Sequence, residues 1–201
     1  SAGDHIVASS QRYGANINLL KYTFPRFGIT TTFANATDPD AIAAAIQPNT
    51  KLIFGEVVGN PGLDIMDVDA VGKIADEAGI PLILDATFNT PYLLKPLEHG
   101  ASIIVHSLTK WIGGHGIAIG GAVLDGGRFD WGASDKFPTI ASPHYAMDGI
   151  NFYEEFGPTA MTAKLRAEMM YNFGPCLSPT NAFHLLQGIE TLPLRMQRHI
   201  E

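Results

Sequence analysis

The chain has 201 residues, of which 46% are hydrophobic and 16% are charged, so it has enough apolar material for one sizeable core and is not a disordered protein. Its 13 Lys and Arg against 20 Asp and Glu give a formal net charge of −7, which argues against nucleic acid as a partner. No run of about 18 apolar residues occurs, so the sequence predicts no membrane span.

Short strands and helices alternate through the first two thirds of the sequence. One helix is predicted to follow Thr37 as its cap, because the proline and two aspartates that come next suit a first helical turn. Another is predicted over residues 67–78, where apolar residues recur every three or four positions until Gly79 ends the pattern. Strands are predicted, in chain order, at residues 5–9, 28–33, 52–56, 81–85 and 101–105.

The last two predicted strands, at 81–85 and 101–105, are nearly continuous apolar runs, which is typical of strands buried on both faces beneath helices. We therefore expect an α/β fold with three layers and a mostly parallel, doubly wound sheet, since too few strand and helix units are present for a closed barrel. After Asp125 the strand pattern fades. Residues 145–173 and 181–189 are predicted to be helical, separated by a break at 174–179 that contains two prolines and a glycine.

Polar side chains directly follow three of the predicted strands. These segments are residues 56–61, 85–87 and 106–110. In open α/β sheets, ligands collect outside the carboxyl ends of the strands, so the three segments are expected to meet at one edge. A carboxylate, two hydroxyls and an amine would then converge beside a glycine-rich segment, an arrangement that suits a phosphorylated aromatic cofactor.

Longer motifs carry a specific resemblance. Ser-Leu-Thr-Lys-Trp-Ile-Gly-Gly-His-Gly at 107–116, after Leu-Asp-Ala-Thr-Phe-Asn-Thr-Pro-Tyr-Leu at 84–93, resembles the signature of the Cys/Met-metabolism family of pyridoxal-phosphate (PLP) enzymes. The similarity continues through residues 3–9 and 177–183 and covers essentially the whole chain. Residues 119–131 most resemble the O-acetylhomoserine sulfhydrylase branch. The resemblance implies the large PLP-binding domain of fold type I, aminotransferase-like enzymes.

Lys110 and Asp85 carry the main chemistry that this resemblance implies. Lys110 matches the Schiff-base lysine, whose neutral amine joins a carbonyl and later shuttles protons. Asp85 matches the carboxylate that pairs with the protonated pyridine nitrogen, and an unpaired carboxylate at the end of an apolar strand would otherwise be costly. The alternatives are that Lys110 is an ordinary surface charge and that Asp85 caps the next turn.

Hydroxyl groups near the same strand ends are expected to bind the cofactor as well. Ser107 and Thr109 are two residues apart, so on an extended segment both would point the same way and could donate to the phosphate. Thr87 is placed with them among the cofactor-binding residues. Hydroxyls at such junctions are also common backbone caps, and that alternative stays open.

Tyr13 matches the family's tyrosine that stacks on the pyridine ring and assists proton transfer, so it joins Lys110 and Asp85 as a predicted catalytic residue. Without the resemblance, it would be assigned to the core or its rim. Asn60 matches a cofactor-binding position near the ring hydroxyl, although Asn-Pro is also an ordinary turn signal. Glu56 is predicted to be an acid just behind these residues.

His106 and His115 suggest a metal site only at first sight. No second set of ligands stands at ligand spacing, and both histidines belong to the motif around the lysine, so no metal is expected. Cys176, the single cysteine, excludes a disulfide within the chain and is expected to be inert. With no cationic leader at the N-terminus, these features favour the reducing cytoplasm.

Some family features differ or are missing. Ala86 stands where many relatives have asparagine, and residues 14–16 read Gly-Ala-Asn instead of Gly-Gly-Thr. The Tyr-x-Arg phosphate clamp that a neighbouring subunit donates, the Gly-Met phosphate turn and the small C-terminal domain are not in this sequence. We expect residues 1–175 to be the large PLP-binding domain, incomplete at its N-terminus, and residues 176–201 to begin the connection to that absent domain.

The implied activity is PLP-dependent γ-replacement on O-acetyl-L-homoserine, an amino-acid substrate, with sulfide or methanethiol, to give homocysteine or methionine. Within the same class, the alternative is a cystathionine γ-synthase or a γ-lyase. The alternative from another functional class is that the chain is a catalytically incompetent fragment, which acts only as a PLP-binding or subunit-interaction module. The resemblance also implies a homo-oligomer, either a dimer or a tetramer, in the intact enzyme.

Overall fold

One six-stranded sheet runs through the computed structural model, which describes residues 1–201. Its strands are β1 (His5–Ser9), β2 (Thr30–Ala34), β3 (Thr50–Glu56), β4 (Leu82–Asp85), β5 (Ile103–Ser107) and β6 (Gly121–Asp125). They lie in the order β2-β1-β3-β4-β5-β6, and all neighbours are parallel except β5 and β6. The predicted α/β fold with a mostly parallel sheet is therefore confirmed.

The helices vary widely in length. They are α1 (Gly14–Asn18), α2 (Pro39–Ala44), α3 (Val68–Glu77), α4 (Thr90–Leu93), α5 (Pro138–Ala141), α6 (Phe152–Phe156), α7 (Ala160–Lys164), α8 (Tyr171–Phe173), α9 (Pro179–Glu190) and α10 (Leu192–Ile200). Short 3-10 turns occupy Phe24–Phe27, Pro96–His99, Tyr145–Met147 and Gly157–Thr159, and π-helical turns occupy Leu19–Thr23 and Leu165–Met170. None of the helices has the length and apolar character needed to cross a bilayer.

The core has one layer on each face of the sheet. Val7 of β1 and Ile104 of β5 pack into a cluster of 16 buried residues that includes Val71 of α3. Ile103 is next to Ile104 but faces the other way, where it packs with Phe152 of α6 in a second cluster. Because neighbouring residues of a strand point to opposite faces, the apolar runs predicted from the sequence supply both layers.

The start of α2 differs from the prediction. Asp38, not Thr37, is the N-cap, and its side chain accepts a hydrogen bond from the backbone N–H of Ala41 at 3.1 Å. Pro39 takes the first helical position, which leaves the residue immediately before it as the cap. The Thr37 hydroxyl donates to Asn35 Oδ1 at 3.0 Å instead.

The helical stretch predicted over residues 145–173 is interrupted. Asp148 and Gly149 both have positive φ, 53° and 79°, so the backbone leaves the helical region there. Asn151 then caps α6, with its side chain accepting hydrogen bonds from the N–H groups of Tyr153 and Glu154. The borders of four predicted strands also differ from the observed ones by one or two residues. The edge strand β6 lies where the sequence predicts no element.

Candidate active site

A cleft of about 640 Å³ opens at the carboxyl ends of the parallel strands. All seven predicted catalytic and cofactor-binding residues line it, together with Glu56. Such a volume lies within the ~300–1,000 Å³ range of small-molecule sites. The 14 lining residues are Tyr13, Glu56, Val58, Asn60, Asp85, Thr87, Phe88, Ser107, Thr109, Lys110, Trp111, Gly114, Gly116 and Ile119.

Lys110 lies in the turn that follows β5, and it is exposed towards the cleft. The turn is closed by backbone hydrogen bonds from Lys110 N to Ser107 O at 3.1 Å and from Gly114 N to Lys110 O at 2.7 Å. The amine forms no ion pair or hydrogen bond with the rest of the chain. A free amine on a firmly hydrogen-bonded turn is suited to attack a carbonyl group.

Asp85 and Thr87 connect the ends of β4 and β5. Asp85 Oδ1 accepts a hydrogen bond from the backbone N–H of Thr87 at 2.9 Å, and Thr87 Oγ1 accepts one from the N–H of Ser107 at 2.7 Å. One oxygen of Asp85 thus caps the next turn, as the structural alternative predicts. Its other oxygen has no partner within the chain, so the same carboxylate can also face a cation in the cleft.

The two predicted phosphate ligands have different surroundings. The Ser107 hydroxyl forms no hydrogen bond within the chain. The Thr109 hydroxyl accepts from Gly120 N at 3.1 Å and lies 3.3 Å from Gly120 O, so it acts as a backbone cap. The extended geometry expected for this pair was wrong, because β5 ends at Ser107 and Thr109 lies in the following turn.

Tyr13 presents its side chain at the cleft and is 54% exposed. Its backbone N–H donates to Glu56 Oε1 at 2.7 Å, which ties the start of α1 to the end of β3. Burial raises the pKa of the Glu56 carboxyl, and the Tyr13 N–H partly opposes that rise. Asn60 lies in the bend just after β3, beside the same carboxylate.

Arg12 is a buried cation that sequence reasoning missed. It is 1% exposed, its Cζ lies 4.2 Å from the centre of the Phe54 ring, and Nη2 donates to Phe54 O and to Ser9 Oγ. Burial lowers the Arg12 pKa to about 10, against the opposing attraction of Glu56 and Asp85. Its burial could not be predicted from the sequence, because an isolated arginine is usually a surface residue.

Aromatic and aliphatic side chains form the apolar wall of the cleft, and they too were missed as site residues. Phe88 and Trp111 meet edge to face with ring centres 6.5 Å apart. Val58 and Ile119 line the cleft with them. Phe88 and Trp111 lie within the motifs at 84–93 and 107–116. Their closeness in sequence to Asp85 and Lys110 was the signal that could have identified them as site residues.

The remaining sequence candidates lie outside the cleft. His106 is buried, and burial lowers its pKa, with the nearby negative charge of Asp85 opposing the change. His115 Nδ1 lies 2.8 Å from Gly113 O. Cys176 is exposed and unpaired. No group of three His, Cys, Asp or Glu side chains is placed to hold a metal ion.

The donor set suits a phosphorylated aromatic aldehyde such as PLP. Lys110 offers a free amine for the aldehyde, the unpartnered oxygen of Asp85 a negative charge for a ring nitrogen, and Ser107 a hydroxyl for the phosphate. Tyr13 adds an exposed aromatic face. Lys110 is the only cationic side chain in the lining, which contains no arginine.

Comparisons with known proteins agree with this geometry. The sequence pattern of the Cys/Met metabolism PLP-dependent enzymes matches residues 1–201. The O-acetyl-L-homoserine sulfhydrylase of Leptospira meyeri is 47% identical over 98% of this chain and 46% of its own length. The homocysteine synthase of Schizosaccharomyces pombe is 46% identical over 100% of this chain and 47% of its own length.

A solved structure from Campylobacter jejuni that contains N'-pyridoxyl-lysine-5'-monophosphate superposes with a TM-score of 0.94. It is 34% identical, and the match covers 99% of this chain and 49% of that one. The chain therefore spans about half the length of the curated relatives it matches.

Proposed function

This chain belongs to the family of Cys/Met metabolism PLP-dependent enzymes, and we propose that the protein it builds binds PLP in the cleft and acts on O-acetyl-L-homoserine. The proposed reaction replaces the acetyl ester at the γ-carbon with sulfide or methanethiol. Acetate leaves, and homocysteine or methionine forms. The relatives named for sulfhydrylase and homocysteine synthase activity support this choice.

The observation that carries the proposal is the meeting of Lys110, Asp85 and Tyr13 in one cleft. Lys110 would hold the cofactor aldehyde, Asp85 its ring nitrogen, Tyr13 its ring face and Ser107 its phosphate. Asn60 and Thr87 would surround the ring, and Thr109 would hold the backbone of Gly120 in place. These roles are supported by the donor chemistry of the lining residues and by the family motifs in which they stand.

When bound, the cofactor supplies an electron sink that stabilises negative charge at the substrate α-carbon. Lys110 Nζ removes the α-proton and carries a proton to or from the β-carbon, because it is the free amine of the cleft. The unpartnered oxygen of Asp85 stabilises positive charge at the ring nitrogen. Phe88 and Trp111 exclude water from the side of the cleft that they line.

A substrate panel tests the reaction. The full-length protein that carries this chain should turn over O-acetyl-L-homoserine with sulfide or methanethiol faster than O-succinyl-L-homoserine, cystathionine or methionine. Preference for the succinyl ester with cysteine would favour a cystathionine γ-synthase. Release of α-keto acid from cystathionine or methionine would favour a γ-lyase.

A second function, that of a PLP-binding or subunit-interaction module without turnover, is favoured by two observations. The chain spans about half the length of its curated relatives, and its cleft holds a single cationic side chain. In this proposal, residues 1–175 form most of a cofactor-binding domain, and residues 176–201 begin a connection to further chain. Product formation by the 201-residue polypeptide would exclude it.

The proposed setting is a homo-oligomer in the cytoplasm. Large apolar side chains such as Tyr171 and Phe173 are 84% and 79% exposed, as in a surface that a second copy or further chain covers. The single exposed thiol of Cys176 suits a reducing compartment. The partners are a small amino acid and a sulfide or thiol donor.

A further inference from the structure

Arg195, in α10, is bonded through its whole guanidinium group. Nη1 donates to Trp111 O at 2.7 Å, and Nη2 donates to Gly188 O at 2.8 Å and to Ile112 O at 3.4 Å. Nε donates to Thr191 Oγ1 at 3.0 Å. All three guanidinium nitrogens therefore donate hydrogen bonds to the chain.

The acceptors join two separate parts of the fold. Trp111 and Ile112 are the two residues that follow Lys110, whereas Gly188 and Thr191 lie at the end of α9 and just after it. The guanidinium thus bridges the lysine-bearing turn and the α9–α10 junction. Arg195 itself is not one of the residues that line the cleft, so it acts on that turn from behind.

Glycines make this bridge possible. A Cβ at Gly114 would lie 2.5 Å from Arg195 Cζ, and a Cβ at Gly188 would lie 2.2 Å from Gly113 O. The turn and α9 therefore approach backbone to backbone, and the guanidinium packs directly over the turn. Any side chain at either glycine would push the two parts away from each other.

The same helix contacts the cleft wall in a second place. The His199 ring lies 4.7 Å from the Trp111 ring, centre to centre, and Gln197 Oε1 accepts a hydrogen bond from the Tyr92 hydroxyl at 2.7 Å. Tyr92 belongs to α4, which follows Asp85. α10 is thereby attached to both segments that carry the candidate chemistry.

We propose that Arg195 is a positioning residue that holds the Lys110 turn against α9 and α10 and so sets the direction from which the Lys110 amine reaches the cofactor and the substrate. The inference rests on the proposed function, because it concerns how Lys110 is held. A planar fork with several N–H donors can bridge these carbonyls, whereas the single ammonium of lysine on a flexible stem cannot.

The experiment compares Arg195→Gln and Arg195→Lys with Arg198→Gln in the full-length protein. Arg198 is the matched control, because it lies in the same helix, is 83% exposed at its side chain and pairs only with Glu201. The readouts are kcat and KM with O-acetyl-L-homoserine, the pH midpoint of the visible absorbance with PLP added, and the rate of borohydride-trapped pyridoxyl labelling at Lys110. Thermal unfolding without PLP reports on the fold.

We expect Arg195→Gln to lower kcat and the labelling rate by roughly tenfold to a hundredfold, the scale of a small misplacement of a reacting group, and to shift the absorbance midpoint. KM should change less than kcat. Arg195→Lys should recover only part of the kcat and of the labelling rate that Arg195→Gln loses. Arg198→Gln should match the unsubstituted protein in every readout.

The inference is overturned if Arg195→Gln and Arg198→Gln label Lys110 at the same rate and share one pH midpoint. If Arg195→Gln does not fold, Arg195→Lys decides, and full kcat with an unshifted midpoint in that variant overturns the inference. Labelling of Lys110 in the unsubstituted protein without turnover of the ester would count against the proposed reaction alone. Failure to label Lys110 there would remove both.

Discussion

Lys110 is the residue whose loss should have the sharpest effect. The Lys110→Ala variant of the full-length protein should lose covalent PLP attachment, because the cleft lining contains no other amine. Borohydride reduction followed by peptide mapping measures the attachment. Lys95→Ala is the control, since Lys95 is an exposed residue paired with Glu98 and should leave the label on Lys110. A reduced pyridoxyl label on Lys95 or Lys136 in the unsubstituted protein would contradict the assignment.

Asp85→Asn should separate cofactor binding from rate. Asparagine keeps an oxygen that can accept the Thr87 N–H, so the turn after β4 is preserved, but the negative charge facing the cleft is lost. We expect kcat to fall by roughly a hundredfold or more, about 3 kcal/mol, the scale of losing a preorganised charge partner. PLP affinity should fall less.

PLP titration and steady-state kinetics on the same preparation measure the two effects of Asp85→Asn. Asp69→Asn, at an exposed position in α3, serves as the control. Equal losses of affinity and rate would argue against a role at the ring nitrogen, as would no loss of either.

Arg12 gives a prediction about the pKa of its neighbour. The positive charge of Arg12 lowers the pKa of Glu56, whereas burial and the negative charge of Asp85 raise it. Arg12→Met should therefore raise the Glu56 pKa further, because the only opposing side-chain charge is removed. Carboxyl NMR titration with Glu56 assigned through Glu56→Gln measures the shift. Arg128→Met is the control, because Arg128 bonds to Asp76, and it should leave the Glu56 pKa unchanged. An unchanged Glu56 pKa in Arg12→Met would contradict the prediction.

At the scale of elements, buried apolar runs were predictable from the sequence, whereas the N-cap of α2 and the strand borders set by tertiary contacts were not. β1 was predicted with its observed bounds because all five residues are buried. β5 lies two residues later than predicted, because its pairing with β6 reaches Ser107 opposite Gly121. The helical stretch over 145–173 was overestimated because the left-handed residues Asp148 and Gly149 interrupt an otherwise apolar pattern.

The candidate site was predictable to the extent that it follows strand ends. Asp85 and Ser107 end parallel strands, and Lys110 follows within a turn, so the general rule for α/β sheets brings them together. The burial of Arg12 was not predictable, because it depends on the packing of its guanidinium against Phe54 of β3, which is distant in the sequence. The same holds for the Thr109 hydroxyl, whose partner Gly120 is 11 residues away in the chain.

His5 makes the free energy of unfolding depend on pH. Its Nδ1 lies 2.8 Å from Thr50 Oγ1 and its Nε2 lies 2.9 Å from Thr32 Oγ1, so it joins the starts of β1 and β3 to the middle of β2. Burial lowers its pKa, so between its folded pKa and about 6.5 the unfolded chain binds more protons at this residue. The contribution of His5 to the free energy of unfolding is therefore complete above about pH 6.5 and is lost as the pH falls.

Urea unfolding at several pH values between about 5 and 8 measures this contribution. His5→Gln should flatten the loss of stability on acidification, by at most ~1.4 kcal/mol per pH unit. Asn49→Ala removes a neighbouring hydrogen bond, from Asn49 Nδ2 to Gly3 O, without removing a titratable group, so it should keep the original slope. A slope unchanged by His5→Gln would contradict the assignment.

At the scale of the whole molecule, the cleft is polar at its base and sparse in positive charge. Asp85 and Glu56 bring negative charge, Arg12 is buried behind them, and Lys110 is committed to a carbonyl in the proposed function. Large exposed side chains such as Ile119 and Leu194, 80% and 73% exposed, lie on the surface around α10 and the glycine-rich segment. The cleft thus gathers the proposed cofactor-binding side chains but contains Lys110 as its only cationic side chain.

This imbalance predicts how the 201-residue polypeptide should behave alone. We expect it to bind PLP more weakly than a protein of the relatives' length that contains it, and to show negligible turnover. The phosphate would meet the neutral hydroxyl of Ser107, while the Thr109 hydroxyl is occupied by Gly120. Absence of one charge-assisted contact costs about 1.5 to 3 kcal/mol, or roughly tenfold to a hundredfold in affinity.

Parallel PLP titrations of the two polypeptides, followed by absorbance and by quenching of Trp111 fluorescence, measure the difference. The 201-residue chain should also respond less to added salt, because its phosphate contacts are uncharged and therefore weakly screened. Ser107→Ala in both polypeptides is the internal comparison, and it should weaken binding more in the shorter one, where fewer other contacts hold the phosphate. Equal affinity and equal turnover in the two polypeptides would contradict this prediction. Residues 1–201 would then build the whole phosphate site by themselves, and the side chain of Lys110 or Arg12 would have to contact the phosphate.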